Sequence, residues 1–188
     1  MKNVCKLFFA AVLGFTMLAA VLPASARPPK TEDELIADLS SPKDKTVVNA
    51  LQDLEKSYPN SPKSVPEIKK LLTDTRPTVK RKAARVLGTV NADVSDTDLK
   101  NIATLLTGDR NEKEDGLKAL RGLKAKSTIP QIIPLLKDPD KNVLRDAIRT
   151  LAVQGDKSLI PTIKPLMDFP DLAVQKDAAD AISILKEK

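Results

Sequence analysis

The sequence predicts an all-α protein in which about five helix pairs stack into a short α-solenoid. Of its 188 residues, 41% are hydrophobic and only 3% are aromatic, so the expected core is aliphatic. A small residue recurs at the centre of the second helix of each predicted pair, at intervals of 33, 33, 31 and 31 residues. These residues are Ala50, Ala83, Gly116, Ala147 and Ala178. Such regular spacing is typical of repeat architectures, in which neighbouring units bury a common core.

The predicted second helices show the 3.6-residue period of amphipathic helices. Their apolar residues share one face, and the small central residue lets neighbouring helices approach closely. In the second unit this face holds Val79, Ala83, Val86, Leu87 and Val90.

The predicted first helices carry a different signature. Four of them end in an apolar pair such as Leu71-Leu72 or Leu135-Leu136, and Leu39 holds the matching place in a degenerate first unit. Turn and N-cap chemistry follows, which we assign to Asp74, Asp138-Pro139-Asp140 and Asp168. Several begin with a proline, which is tolerated in a first turn because that N–H has no helical partner. We expect a second proline, Pro134 in one unit and Pro165 in the next, to bend the helix that contains it.

The predicted repeats follow one another without a long gap. We predict a flexible linker at residues 27–32 and a repeat domain at residues 33–188. The five repeats are placed at residues 33–58, 63–91, 95–124, 127–155 and 158–186.

Residues 1–26 have the features of a cleavable signal peptide. Lys2 and Lys6 precede an apolar stretch at residues 7–22, which is shorter than the roughly 20 residues that a spanning helix needs. Ala24-Ser25-Ala26 then offers a cleavage site after Ala26. The expected product is periplasmic or secreted, has no membrane span and carries a net charge of +4, against +6 for the whole chain.

The segment from Ile129 to Ala147 resembles a HEAT repeat, in the short form found in phycobilisome lyases, and Asp74 to Gly88 is similar. The resemblance covers residues 33–188 and implies a right-handed superhelix whose second helices line the concave side. Many such repeats carry an arginine that pairs with the turn aspartate. Here the matching positions hold Lys80, Lys113, Leu144 and Gln175, so we expect this ladder of ion pairs to be broken in the C-terminal half.

Residue types used in catalysis are scarce. The chain has no histidine, and its single cysteine, Cys5, lies in the predicted signal peptide, so common triads, thiol nucleophiles and zinc sites are not expected. Carboxylate pairs such as Asp138 with Asp140 are interpreted as helix caps and solvated groups. We therefore predict a protein that is not an enzyme and that has no cofactor or metal.

One surface feature points to a binding site. Superposition of the repeats aligns two rows of positions on the side of the second helices away from the core. Six of the eight positions are basic and would form a basic stripe, and the other two hold Glu114 and Asp180. The candidate partner-binding residues are Arg81, Arg85, Lys118, Arg145, Arg149 and Lys176. The alternative is a solvated face on which Asp115, Asp146 and Asp177 offset the positive charge.

The leading functional hypothesis is an exported, non-catalytic and monomeric scaffold that binds a protein of acidic character. Nucleic acid is disfavoured because the predicted mature chain offers only Tyr58 and Phe169 for base stacking. Two alternatives stay open: a structural spacer in an envelope assembly, and a lyase-like or chaperone-like protein that handles a bound cofactor.

Overall fold

The computed structural model describes residues 29–188, which contain ten α-helices and no β-strand. The predicted signal peptide and its cleavage site lie outside these residues. The helices form five consecutive pairs, as the sequence predicted. They are α1 Glu32–Asp38, α2 Asp44–Ser57, α3 Val65–Lys70, α4 Pro77–Thr89, α5 Asp96–Ala103, α6 Arg110–Gly122, α7 Ile129–Ile132, α8 Lys141–Gln154, α9 Ile160–Ile163 and α10 Leu172–Lys186.

Four of the five first helices tighten into 3₁₀ geometry at their C-terminal ends. The 3₁₀ turns span Leu71–Thr73, Thr104–Thr107, Ile133–Lys137 and Lys164–Asp168. Pro134 and Pro165 lie at the start of the last two turns, where the expected bend takes this form. Proline is not required for it, because the turns at Leu71–Thr73 and Thr104–Thr107 contain none. Two further 3₁₀ turns, Lys126–Thr128 and Lys157–Leu159, lead into α7 and α9.

The cap of the last second helix differs from the sequence expectation. Asp171, rather than Asp168, is the N-cap of α10, and its side chain accepts hydrogen bonds from Ala173 and Val174. Phe169 holds the turn position that Asp138 holds in the previous repeat. The 31-residue spacing of the N-caps Asp140 and Asp171 fixes this alignment.

The first helix begins inside the segment expected to be a linker. Thr31 caps α1 in a capping box, with the Thr31 hydroxyl and the Glu34 carboxylate each accepting from the other residue's backbone N–H. The hydroxyl of Tyr58 donates to the carbonyl of Lys30, and the Lys30 ammonium pairs with Asp38. Residues 30–32 are thus tied to the first repeat.

A continuous aliphatic core runs through the stack. All five small central residues of the second helices are buried, as predicted, and the residues packed around them are mainly leucine, isoleucine and valine. Each end unit has a polar residue at a position that is apolar and buried in an inner unit. Asp53 is exposed at the position of buried Val86, and Ser183 is exposed at the position of buried Ala152.

Consecutive second helices touch at backbone distance. A Cβ atom added to Gly122 at the end of α6 would lie 2.1 Å from the carbonyl oxygen of Gly88 in α4. The first helices diverge instead, since a groove of about 500 Å³ separates α5 from α7. The closer contact of α4 with α6 is the spacing expected if the second helices line the concave side, as the resemblance implies.

An arginine clamp joins the first two repeats. Arg76 donates from Nε and Nη2 to the two carboxylate oxygens of Asp74, at 2.9 and 2.7 Å. Its Nη1 reaches the carbonyl of Ser41 and the carboxylate of Asp44 in the first repeat. The hydrogen bonds from Arg76 hold the pKa of Asp74 below its usual value.

Among residues 29–188, no helix is both long enough and apolar enough to cross a bilayer.

The contact of α4 with α6 predicts that alanine substitutions at two glycines of α6 change the free energy of unfolding by unequal amounts. Gly122→Ala should lower the free energy of unfolding by about 1–3 kcal/mol, because its methyl group meets rigid backbone. Gly116→Ala is the matched control: its Cβ would lie 3.0 Å from the Leu105 side chain, and the other repeats carry alanine there. We expect that control to change stability by less than about 1 kcal/mol. Urea unfolding measures both, and equal losses would contradict the close contact.

The clamp predicts an acid-sensitive contribution to stability. Because the folded pKa of Asp74 is depressed, its stabilisation is present above the unfolded pKa of about 4 and is lost as the pH falls through the folded value. Arg76→Gln removes the cause of that shift. Urea unfolding at neutral and strongly acidic pH should therefore show a smaller acid-induced loss in Arg76→Gln than in the wild type. An equal loss in both would mean that the clamp makes no such contribution.

Candidate binding face on the second helices

The structure places all six predicted cations on the second helices of the last four repeats. Arg81, Arg145 and Lys176 occupy one equivalent position, and Arg85, Lys118 and Arg149 occupy the position one turn later. We call the surface that they share the second-helix face. None of the six is buried, so each remains available to a ligand.

The cations of one repeat pair with an aspartate of the next repeat. Arg81 and Arg85 both approach Asp115, at 3.2 and 3.7 Å. Two repeats further on, Arg145 and Arg149 share the carboxylate of Asp177, at 2.6 and 3.0 Å.

The middle junction follows the same rule with a different set of cations. Lys118 lies 3.8 Å from Asp146, and Arg121 lies 3.3 Å from the same carboxylate. These pairs join α6 to α8, so the contacts at Asp115, Asp146 and Asp177 link α4 through α10 in sequence.

The first junction reverses the polarity. Lys82 in α4 occupies the position of Asp146, and Glu55 in α2 occupies the position of Arg121. The cation and the carboxylate have therefore changed places relative to the middle junction. The two side chains still form an ion pair, with 2.6 Å between Nζ of Lys82 and Oε2 of Glu55. Burial raises the pKa of Glu55, but the hydrogen bond from Lys82 and other favourable contacts outweigh it, so this pKa lies below its usual value. We call the pairs at the four junctions the charge ladder.

Lys176 stands apart from the charge ladder. It belongs to the last repeat and pairs within α10 with Asp180, at 2.6 Å, and both side chains are exposed. The hydrogen bond to Asp180 raises the pKa of Lys176.

The ladder lies at positions that the sequence had not assigned to it. The sequence predicted that the pairing of an arginine with the turn aspartate would be lost in the C-terminal half. In the last repeat it is absent, and Gln175 donates to the carbonyl of Phe169 instead. One such pair survives, between Lys113 and Asp138 at 2.8 Å. The charge ladder itself runs along α2, α4, α6, α8 and α10. Alignment of Glu55 with Arg121 and of Lys82 with Asp146 is the signal that would have revealed it.

A groove of about 360 Å³ opens on this face between α6 and α8, and we call it the α6–α8 groove. Arg110 was not among the predicted residues; it donates from Nε to Glu114 at 2.9 Å and approaches Asp140 at 3.3 Å. The groove is lined by the cations Arg110, Lys118, Arg145 and Arg149, the carboxylates Glu114 and Asp146, and Asn142.

Buried polar contacts fix the two walls of this groove. The Thr150 hydroxyl donates to the carbonyl of Asp146 at 2.6 Å and approaches the carbonyl of Leu117 in α6 at 3.3 Å. The Gln154 amide donates to the carbonyl of Leu120 at 2.7 Å. The contacts to Leu117 and Leu120 cross between repeats inside the core, so α8 is held in one register against α6.

The chemistry that this arrangement allows is ionic and hydrogen-bonding recognition. Guanidinium and ammonium groups bind carboxylates and other anions, and arginine does so through two parallel N–H donors. Within residues 29–188, no three side chains of histidine, cysteine, aspartate or glutamate are grouped to hold a metal ion.

A family model for HEAT repeats matches residues 129–188, which comprise the fourth and fifth helix pairs. These two pairs therefore carry the HEAT-repeat pattern. A comparison with curated proteins found no match.

Solved structures extend the likeness in fold to most of the chain. The complex of CpcE and CpcF of phycocyanin lyase from Nostoc sp. PCC7120 matches with a TM-score of 0.74 and 24% identity, over 89% of this chain and 70% of that one. An engineered protein matches with a TM-score of 0.62 and 22% identity, over 82% of this chain and 78% of that one. Computationally designed armadillo repeat proteins for modular peptide recognition match with a TM-score of 0.60 and 16% identity, over 82% of each chain. At these identities the likeness shows the fold, and it confirms the predicted helical solenoid.

The charge ladder predicts unequal effects for two aspartates of α10. Asp177→Asn should lower the free energy of unfolding by about 1–2 kcal/mol, because a recessed carboxylate that accepts from two arginines loses its charge. Asp180→Asn removes the same charge from an exposed pair and should cost less than about 0.5 kcal/mol. Thermal and urea unfolding of both variants test this, and a similar small effect in the two would show that the ladder does not stabilise the stack.

Proposed function

We propose that the protein is an exported, non-catalytic HEAT-repeat scaffold that binds a protein partner through its second-helix face. The observation that carries this proposal is the repetition of the cations: four consecutive repeats present basic side chains at equivalent positions of one concave surface. Regular presentation of one chemical group along a solenoid suits an extended partner, because each repeat can offer an equivalent contact.

The fold relatives favour the same class of function. The structures that this chain resembles include a complex of two proteins, CpcE with CpcF, and designed armadillo repeat proteins for peptide recognition. Proteins and peptides are the partners that such concave helical surfaces accommodate. We infer that the partner is acidic from the exposed guanidinium and ammonium groups of the face.

The residue types of the chain favour a non-catalytic role. The whole sequence contains no histidine, and its one cysteine is Cys5. The polar groups of the α6–α8 groove are engaged in ion pairs between helices and do not form a nucleophile paired with a base. A second candidate, cofactor handling, is favoured by the resemblance to the phycocyanin lyase complex. Visible absorbance or an added mass on the purified protein would support it.

Position-specific crosslinking in intact cells tests the scaffold proposal. A photoreactive residue in place of Asn142, which is exposed in the α6–α8 groove, should capture a discrete protein. The matched control is Gln131, which is exposed on α7 in the other layer and should capture nothing specific. Capture from Gln131 alone, or from neither site, would contradict binding through the second-helix face and would favour a spacer. If the protein is exported, the crosslinked complex should be found outside the cytoplasm, and the N-terminus of this chain within it should be Arg27.

A further inference from the structure

The charge ladder has a layered structure that its net charge does not reveal. The exposed fractions of the side chains are 48% for Arg85 against 15% for its partner Asp115, and 45% for Arg149 against 9% for Asp177. At the middle junction, Lys118 is 35% exposed and Asp146 is 10% exposed. In each case the carboxylate lies at the floor between two helices and the cation lies above it.

This layering decides what a ligand meets. Over the junctions from α4 to α10, a ligand that approaches the second-helix face contacts the exposed cations before it reaches Asp115, Asp146 and Asp177. The recessed carboxylates also hold the cations in place, so less side-chain freedom remains to be lost on binding. The face therefore presents cations that are already held in position by the carboxylates beneath them.

The cations retain unused donors. Arg145 makes its contact to Asp177 through Nε, and Arg110 likewise uses Nε toward Glu114 and Asp140. Over residues 29–188, the Nη groups of these two arginines make no hydrogen bond to the protein. Each can donate a pair of N–H groups to a further carboxylate.

The cations recur at the spacing of packed helices. The clusters lie over the α4–α6, α6–α8 and α8–α10 junctions. Packed helices are separated by about 8–10 Å. A polyproline II helix has three residues per turn and a rise of about 3.1 Å per residue, so every third side chain points the same way about every 9 Å. In a β-strand, by contrast, side chains three residues apart point to opposite sides.

We propose that the second-helix face binds an acidic polypeptide segment in a polyproline II-like conformation, with a carboxylate at every third residue. One carboxylate lies over each junction, where the exposed cations hold it, and the segment crosses α4, α6, α8 and α10 in turn. The inference rests on the proposed function and specifies its partner. Single-stranded nucleic acid fits this face less well, because the second helices contain no aromatic side chain on which bases could stack.

Peptides of equal composition test the spacing. The probe is the labelled peptide Glu-Pro-Pro-Glu-Pro-Pro-Glu, and its control places the three glutamates together before the four prolines. Fluorescence anisotropy with the purified protein should show at least about tenfold tighter binding of the spaced peptide, because its contacts form together. The affinity should fall as salt rises from about 0.05 to 0.3 M. Equal affinity for the two peptides, or tighter binding of single-stranded DNA or polyphosphate, would overturn the proposal.

Matched variants locate the binding surface. The double variant Arg85→Gln, Arg149→Gln removes two exposed cations but leaves Asp115 with Arg81 and Asp177 with Arg145. It should weaken binding of the spaced peptide about tenfold. The double variant Lys137→Gln, Lys164→Gln removes the same charge from exposed positions in the first-helix layer and should bind as the wild type does. Equal weakening in both variants would indicate a long-range charge effect and contradict the proposal.

The peptide and crosslinking experiments distinguish failure of the carboxylate spacing from failure of the scaffold function. Capture of a protein at Asn142 without a preference for the spaced peptide would leave the scaffold function standing and refute the carboxylate spacing. Preference for the spaced peptide without capture at Asn142 would establish the chemistry of the face and refute its use for a protein partner in the cell.

Discussion

The close contact between consecutive second helices is the constraint on which the rest of the structure depends. A single helix pair cannot bury its own apolar face, so each unit is stable only against its neighbours. Gly88 and Gly122 show how close the contact becomes, since any side chain at Gly122 would meet the backbone of α4. The first helices α5 and α7 are separated by a groove, which is the spacing expected when a stack curves around its second helices. This curvature brings their polar sides together on one concave surface.

Burial at these junctions also determines how the charges behave. Charged side chains at the edge of a tight helix contact are partly removed from water and are stable there only when they are paired. The short aspartate side chain fits close to the junction, whereas arginine and lysine extend past it and keep their charged ends in solvent. The chain thus gains contacts between repeats and a surface of exposed cations from the same residues. The reversed pair Glu55–Lys82 shows that complementarity, and not the sign at either position, is needed for stability.

This arrangement reconciles the two sequence-based interpretations of the second-helix face. Counting charges along the helices suggests that Asp115, Asp146 and Asp177 neutralise the basic stripe. These aspartates are less exposed than the cations with which they pair, so the cations form the outer part of each pair. A ladder that stabilises the stack and a surface that binds an anionic partner are compatible roles, and the variants that keep each carboxylate paired separate them.

The sequence by itself determined the number of units, the all-helical class and the small buried residues. A repeat of 31 to 33 residues and a 3.6-residue period are visible in the chain without any knowledge of tertiary contacts. It also placed the six cations on one surface, through the same periodicity. Only the tertiary structure decided which carboxylate each cation meets, that Arg110 and Asn142 share the α6–α8 groove, and that Asp171 rather than Asp168 caps α10. Those outcomes depend on the distance between neighbouring repeats and on a register fixed by buried bonds such as that from Gln154 to Leu120. Periodicity fixes the direction of a side chain on its own helix, but its partner is set by how the next helix packs.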